Sequence, residues 1–216
     1  MERLYCILIG YVFGLFQTAF ILGKVKGIDI RKHGSGNSGT TNTLRVLGTK
    51  AGLLVFFGDC VKCILAVVLT TWLFKAGATA TVFIKLYTGL GVILGHNFPF
   101  YMNFKGGKGI ASTAGMIIAF DWHFVVVGLV LFFGAFLITH YVSLGSLLVY
   151  AGFVIQIVIM GQIGFFEGFS NLQLLELYGI TFFMAVLAYY MHGANIARLI
   201  LHEERKTYLF KKNKEA

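Results

Sequence analysis

The sequence predicts an all-α integral membrane protein of seven transmembrane helices, one of them short, with its N-terminus outside and its C-terminus in the cytoplasm. Of 216 residues, 57% are hydrophobic and 12% charged, and the mean hydropathy is +0.80. That is more apolar surface than a soluble domain of this size hides in a core. Six apolar runs have the roughly 17–25 residues that a helix needs to cross a bilayer. Lys and Arg concentrate in two short flanking segments, the pattern that marks the cytoplasmic side.

The runs are 4–23, 51–74, 81–101, 122–138, 142–165 and 173–193. Run 4–23 is followed rather than preceded by basic residues and carries no small-residue cleavage site, so it reads as a retained helix. In run 51–74, Asp59 and Lys62 stand one turn apart, the spacing of an intrahelical ion pair, with a transport relay as the other reading. Cys60 and Cys63 spell C-x-x-C, but with Cys6 they lie in apolar runs without a second ligand pair, and they read as buried packing residues. The stretch 110–120 is apolar but short, and only Asp121 separates it from the run beginning at Trp122.

Charge decides how 110–138 is crossed. The loop 24–50 holds Lys24, Lys26, Arg31, Lys32, Arg45 and Lys50, and the end of the chain holds Arg198, Arg205, Lys206, Lys211, Lys212 and Lys214. Both face the cytoplasm only if 110–138 passes twice; a single pass would put the basic tail outside. The loop with Glu167 and Glu176, which has no Lys or Arg, then faces outward. The expectation is one membrane-embedded domain over 1–216, with a basic cytoplasmic tail at about 199–216. The formal charge of +9 suits anionic lipid or a phosphorylated substrate. Nucleic acid fits badly in a chain that is mostly embedded, and no obligate protein partner is evident.

This topology brings the polar, glycine-rich segments 34–45, 95–109, 140–146 and 192–198 to the cytoplasmic face. The first reads Gly34-Ser35-Gly36-Asn37-Ser38-Gly39-Thr40-Thr41-Asn42, followed by Arg45. Such glycine density lets backbone N–H groups converge on an anion, and the side chains of Ser35, Asn37, Thr40, Thr41 and Asn42 add donors. It matches G-x-G-x-x-G formally, but no strand precedes it, so the dinucleotide reading fails. A Walker A loop is excluded because no Lys-Ser/Thr follows the second glycine.

The second segment carries Gly95-His96-Asn97-Phe98-Pro99 and then Phe104-Lys105-Gly106-Gly107-Lys108-Gly109. Two lysines among glycines at a helix start combine mobile charge, bare backbone donors and a favourable dipole; anchoring to lipid headgroups is the plainer alternative. Ser143 and Ser146 share a helix face, as do His192 and Asn195, with Arg198 one further step along. A histidine at such an interface serves as a hydrogen-bonded anchor or as a catalyst.

Absences narrow the chemistry. No His is followed five residues later by Asp, no D-x-x-D pair occurs, and no His/Cys cluster has zinc spacing. The donor set requires no metal and no cofactor. It is rich in anion donors and poor in bases, which suits substrates that bring their own reactive groups.

At these residues the sequence resembles the bacterial acyl-phosphate:glycerol-3-phosphate acyltransferase family, PlsY. The resemblance is carried by G-S-G-N-x-G-x-T-N-x-x-R at 34–45, G-H-x-F-P with F-K-G-G-K-G at 95–109, Y-V-S-L-G-S at 141–146 and H-x-x-N-I-x-R-L at 192–199, in family order. His140, Gly193 and His202 depart from the family's usual residues. The resemblance implies a seven-helix enzyme of the bacterial cytoplasmic membrane, its site facing the cytoplasm. It would transfer an acyl group from acyl phosphate to the sn-1 hydroxyl of glycerol 3-phosphate, giving 1-acylglycerol 3-phosphate and phosphate. Ser35, Arg45, Lys105, His192 and Asn195 are the expected catalytic residues. Gly34, Gly36, Asn37, Gly39, Thr41, Asn42, His96, Gly106, Gly107, Lys108, Gly109 and Ser143 are the expected phosphate holders. The expected mechanism is proximity catalysis without a covalent intermediate, a phosphate oxygen taking the hydroxyl proton; His192 as general base is the competitor. A membrane transporter of a phosphorylated small molecule is the alternative function.

Overall fold

The computed structural model describes residues 1–208 and is all-helical among them. The basic residues Lys211, Lys212 and Lys214 lie outside the described residues. The helices are α1 (Glu2–Gly14), α2 (Thr18–Val25), α3 (Thr40–Leu47), α4 (Thr49–Phe74), α5 (Ala78–Asn97), α6 (Ile110–Phe120), α7 (Trp122–Thr139), α8 (Val142–Gln162), α9 (Asn171–Met191) and α10 (Gly193–Ile200). Among the described residues, six spans are long and apolar enough to cross a membrane, with α1 and α2 together forming the first; α6 is shorter.

Run 4–23 was expected to be one helix, and it is broken at Leu15–Gln17. The break is held by polar groups that no apolar scan registers. The Gln17 amide, fully buried, donates to Gly14 O at 3.2 Å and His96 O at 2.9 Å. The Lys62 ammonium reaches Phe16 O at 2.7 Å. Carbonyls freed at the end of α1 are thereby satisfied inside the bundle, as a bilayer demands.

Glycine sets how closely α1 approaches α5. A Cβ on Gly10 would fall 2.3 Å from Thr88 O, and one on Gly14 2.3 Å from Val92 O. On the facing helix, a Cβ on Gly91 would fall 2.3 Å from Ile7 O and one on Gly95 2.2 Å from Tyr11 O. Each helix thus presents a small-x-x-x-small pair, which lets backbones pack by close van der Waals contact where water supplies no driving force. The main core, including Leu86, Val92, Met116, Ile157 and Leu177, lies between α4, α5, α6, α8 and α9. By contrast, α7 packs mainly on α8 and leaves Val126, Leu129, Val130 and Leu137 exposed, a face suited to lipid.

The bundle has two chemically distinct ends. At one, Arg3 pairs with Glu176 at 2.5 Å, Tyr87 donates to the same carboxylate at 2.8 Å, and Lys85 caps the end of α6 through Phe120 O at 3.0 Å. At the other, the chain after α10 folds back, with Thr207 N–H on His140 O at 2.9 Å. The last apolar run ends at Met191 rather than 193, because the chain turns at His192 into the separate helix α10.

Candidate active site

A cavity of about 80 Å³ opens at the end where the four polar segments meet. One water needs roughly 10–15 Å³ by the same kind of measure, so the space admits a group the size of a phosphate. Its wall takes residues from the first turns of three helices: Thr40, Thr41 and Asn42 of α3, Ile110 and Ala111 of α6, and Val142 and Ser143 of α8. Helix starts carry unpaired N–H groups and the positive end of the dipole. Three of them around one cavity give it a positive potential before any side chain is counted.

The expectation for 34–39 was a cradle of successive glycine N–H groups, and the structure corrects it. Ser35 N–H is taken by Asn42 Oδ1 at 2.8 Å and Gly36 N–H by His33 O at 3.0 Å. Asn42 is buried, and its amide donates to Ile30 O at 3.1 Å and His33 O at 3.0 Å. Its hydrogen bonds therefore shape the loop, and the role of direct phosphate donor expected for it does not fit. Gly34 adopts φ +59° with no room for a Cβ beside Asn42 Oδ1, and Gly36 adopts φ +71°. Both turn the chain, and neither lines the cavity. What lines the cavity is Ser35, Asn37, Gly39 and the start of α3. The Thr40 hydroxyl is buried without a protein partner.

Of the two lysines in the second segment, only Lys108 lines the cavity. It hydrogen-bonds Asn195 Oδ1. Burial, assisted by Arg198 and Arg45, lowers its pKa to about 8, against the pull of Glu204. Lys105, expected to be catalytic, is exposed and lies outside the cavity wall. Gly109 lines the cavity at φ +83° as the N-cap of α6. Gly106 and Gly107 strap the loop to the end of α5 through N–H bonds to Asn97 O at 3.0 Å and His96 O at 3.1 Å. A Cβ on Gly107 would fall 2.0 Å from His96 Nε2, so glycine is needed for the ring to lie where it does.

His192 is buried and donates from Nδ1 to Ala188 O at 2.8 Å, which leaves Nε2 as the acceptor. Burial, and next the charge of Lys108, lowers its pKa to about 4, so the ring is neutral near pH 7. Arg45 donates to Arg205 O at 3.1 Å and to Thr207 Oγ1 at 2.8 Å. Burial lowers its pKa, yet a guanidinium keeps its charge across any working pH.

Sequence reasoning missed Glu204. This buried carboxylate accepts from Ser143 Oγ at 3.0 Å, Asn195 Nδ2 at 2.7 Å and Arg198 Nε at 2.9 Å. Ser143, expected to hold phosphate, commits its one hydroxyl proton to that carboxylate. The available signal was slight: Glu203 and Glu204 are the acids in an otherwise basic stretch from 198 to 208. No cluster of side chains suited to a metal ion occurs among the described residues.

The family model described as glycerol-3-phosphate acyltransferase matches residues 4–202. A protein of Lactobacillus acidophilus named glycerol-3-phosphate acyltransferase 2 is 38% identical, the match covering 91% of this chain and 86% of the relative. A glycerol-3-phosphate acyltransferase of Thermosipho melanesiensis is 38% identical over the full length of both chains. Among solved structures, the glycerol 3-phosphate form of PlsY (YgiH), an integral membrane glycerol 3-phosphate acyltransferase, superposes with a TM-score of 0.80 at 29% identity, covering 98% of this chain and 100% of that one. The lysophosphatidic acid form gives 0.78 at 28% identity, with 98% of each chain covered.

Proposed function

The chain belongs to the glycerol-3-phosphate acyltransferase family, and from that premise we propose that its acyl donor is an acyl phosphate and that the polar cavity is where two phosphates are brought together. It is an enzyme that transfers an acyl group to glycerol 3-phosphate in phospholipid synthesis. The observation that carries the finer reading is the meeting of three helix starts with Arg45, Lys108 and Arg198 around one cavity. Glu204 offsets the charge of Arg198, and Arg45, Lys108 and the three helix starts remain as separate positive groups, enough to place two phosphates side by side.

In the proposed reaction the sn-1 hydroxyl oxygen bonds to the acyl carbonyl carbon. The bond from that carbon to the phosphate oxygen breaks, and inorganic phosphate leaves with the electron pair. The hydroxyl proton goes to a phosphate oxygen. A mixed anhydride has a good leaving group, so orientation and charge neutralisation are the main demands, and orientation alone supplies on the order of 7–11 kcal/mol in favourable cases. Lys108, Arg45 and the start of α3 hold the phosphates, and Ser35 lies beside them. His192, neutral and presenting Nε2 as an acceptor, orients the attacking hydroxyl. With a pKa of about 4 it is a weaker base than a phosphate oxygen. Ile110, Ala111 and Val142 give the cavity an apolar wall along which the acyl tail runs toward lipid. No metal or cofactor enters this scheme.

We also propose seven crossings, with the N-terminus outside and the cavity facing the cytoplasm at the bacterial inner membrane. Helix α6 starts at the cavity and ends where Lys85 of α5 caps it, and α7 returns to His140 beside the folded-back chain. The basic loop 24–50 sits at the cavity end, as the positive-inside rule requires. A carrier of phosphorylated small molecules is not favoured by the family.

The test offers the purified protein labelled glycerol 3-phosphate with acyl phosphate, acyl-CoA or acyl carrier protein. Lysophosphatidate and inorganic phosphate appearing with acyl phosphate alone is the expected result. Equal turnover with a thioester would overturn the donor assignment.

A further inference from the structure

A second buried polar cluster lies against the cavity wall, and the reaction scheme above leaves it unused. Lys62 Nζ, in the middle of α4, is 2.8 Å from Asp59 Oδ1, 2.7 Å from Phe16 O and 2.9 Å from His96 Nδ1, with Gly14 O more distant at 3.5 Å. Asp59 is 1% exposed, Lys62 5% and His96 3%, so water does not compete for these contacts. Asp59 also accepts from Thr18 Oγ1 at 2.9 Å. An ammonium has three protons and no lone pair. Here each proton has one close target, and two of the targets, a carboxylate and a carbonyl, can only accept.

The geometry fixes the third partner. If Lys62 donates to His96 Nδ1, that nitrogen is the acceptor and the proton of the neutral ring sits on Nε2. The Nε2 edge abuts Gly107, the neighbour of Lys108, and both His96 and Lys108 line the cavity. The His96 carbonyl is held from two sides, by Gly107 N–H at 3.1 Å and Gln17 Nε2 at 2.9 Å.

We propose that Lys62 is a positioning residue for the anion site: it fixes the tautomer of His96 so that Nε2–H serves as a donor at the cavity, and it ties the break in the first span to the phosphate-binding loop. Asp59 holds Lys62 in place. The proposal rests on the cavity being the site of acyl transfer. It differs from a purely structural ion pair because a structural pair would move stability without acting through His96.

The test labels the protein with [15N]histidine in nanodiscs, assigning His96 by the resonances lost in His96→Gln. In the wild type Nε2 carries the proton, and in Lys62→Met the ring becomes a mixture of tautomers. With acyl phosphate as donor, Lys62→Met raises the KM for glycerol 3-phosphate about three- to tenfold, the scale of one hydrogen bond, and changes kcat less. Adding Lys62→Met to His96→Gln raises KM no further, because the lysine acts through the histidine. A wild-type His96 protonated on Nδ1, or an equal effect of Lys62→Met in both backgrounds, overturns the proposal. Lys62→Met leaves Asp59 buried without its partner, so Asp59→Asn/Lys62→Met replaces it if the single variant does not accumulate. Should no acyl transfer occur with any donor, the reading of the cavity fails by itself, and the wild-type tautomer still decides the role of Lys62.

Discussion

Asn195 and Glu204 are joined at 2.7 Å across the turn that follows α10, and the same carboxylate oxygen accepts the hydroxyl of Ser143 from α8. A segment beyond the last span is thus clamped to the start of a transmembrane helix, and Arg45 clamps it again through Arg205 O and Thr207. Glu204→Ala leaves the Ser143 hydroxyl, the Asn195 amide and the Arg198 guanidinium without their acceptor. Arg198 is about a third exposed, so water replaces part of what it loses. The expected cost is about 1–3 kcal/mol, read as a fall of several degrees in the apparent melting temperature in detergent, together with a higher KM for glycerol 3-phosphate. An unchanged melting curve would remove the clamp from the account.

Lys108 and Lys105 look alike in sequence and differ in placement. Lys108 faces the cavity and Lys105 is exposed outside it. Lys108→Ala is therefore expected to lower kcat/KM on the order of 10²–10³-fold, comparable to removing one donor from a charge-stabilising site. Lys105→Ala is expected to stay within about tenfold. Steady-state kinetics of both variants with acyl phosphate check this, and a reversed order would relocate the anion site toward Lys105.

The depressed pKa of Lys108 has a definite sign in the pH profile. With a pKa of about 8 the free enzyme carries the charge below that pH and loses it above. Binding of anionic substrates weakens accordingly, so kcat/KM for glycerol 3-phosphate falls as pH rises through about 8. Bound phosphate favours the charged form and moves the pKa back up, so the limb in kcat appears at higher pH. In Lys108→Arg, which does not titrate in this range, the alkaline limb of kcat/KM should vanish. Its persistence there would assign the limb to another group.

Much of this site was legible in the sequence, and what was not has identifiable physical causes. A bilayer forces polar residues out of its apolar core, so the segments around Ser35, Lys108, Ser143 and Asn195 declared themselves as interruptions between apolar runs. Their convergence followed from the distribution of Lys and Arg. The break at Leu15–Gln17 was hidden because its cause is tertiary: Gln17 and Lys62 satisfy its carbonyls, and neither disrupts the hydropathy of its own run. The role of Asn42 was misread because an amide that shapes a loop and one that holds a ligand have the same composition and spacing. The choice between Lys105 and Lys108 turns on where Gly106 and Gly107 strap the loop against His96, which three residues of separation do not encode. Glu204 was missed because a carboxylate near an anion site looks unfavourable until its three donors are seen.

His192 discriminates between two mechanisms. Its Nδ1–H is fixed on Ala188 O and its pKa is lowered to about 4. It is therefore neutral throughout the range in which the enzyme would be assayed, and only below about pH 4 would it gain charge. A residue that orients the hydroxyl by accepting one hydrogen bond is worth about tenfold in rate. A general base is worth 10²–10⁴-fold. His192→Gln, whose side-chain carbonyl also accepts, is expected to lose about tenfold or less in kcat. A loss beyond 10²-fold, with an acid limb that disappears in the variant, would make His192 the base.

Sidedness is the remaining structural prediction, and it bears on the site as a whole. If the cavity faces the cytoplasm, residues on its rim must react with a membrane-impermeant thiol reagent only from that side. Asn195 is 9% exposed, too buried for a fair test, whereas its neighbour Ala194 and Ser35 are exposed. Cys6, Cys60 and Cys63 are all buried, which keeps the background low. In right-side-out vesicles, Glu167→Cys should label without permeabilisation, and Ser35→Cys and Ala194→Cys only after it. Inverted vesicles should reverse the pattern. Labelling of Ser35→Cys and Ala194→Cys from opposite faces would be incompatible with a shared cavity, because Ser35 and Asn195 line the same wall and no bilayer fits between them.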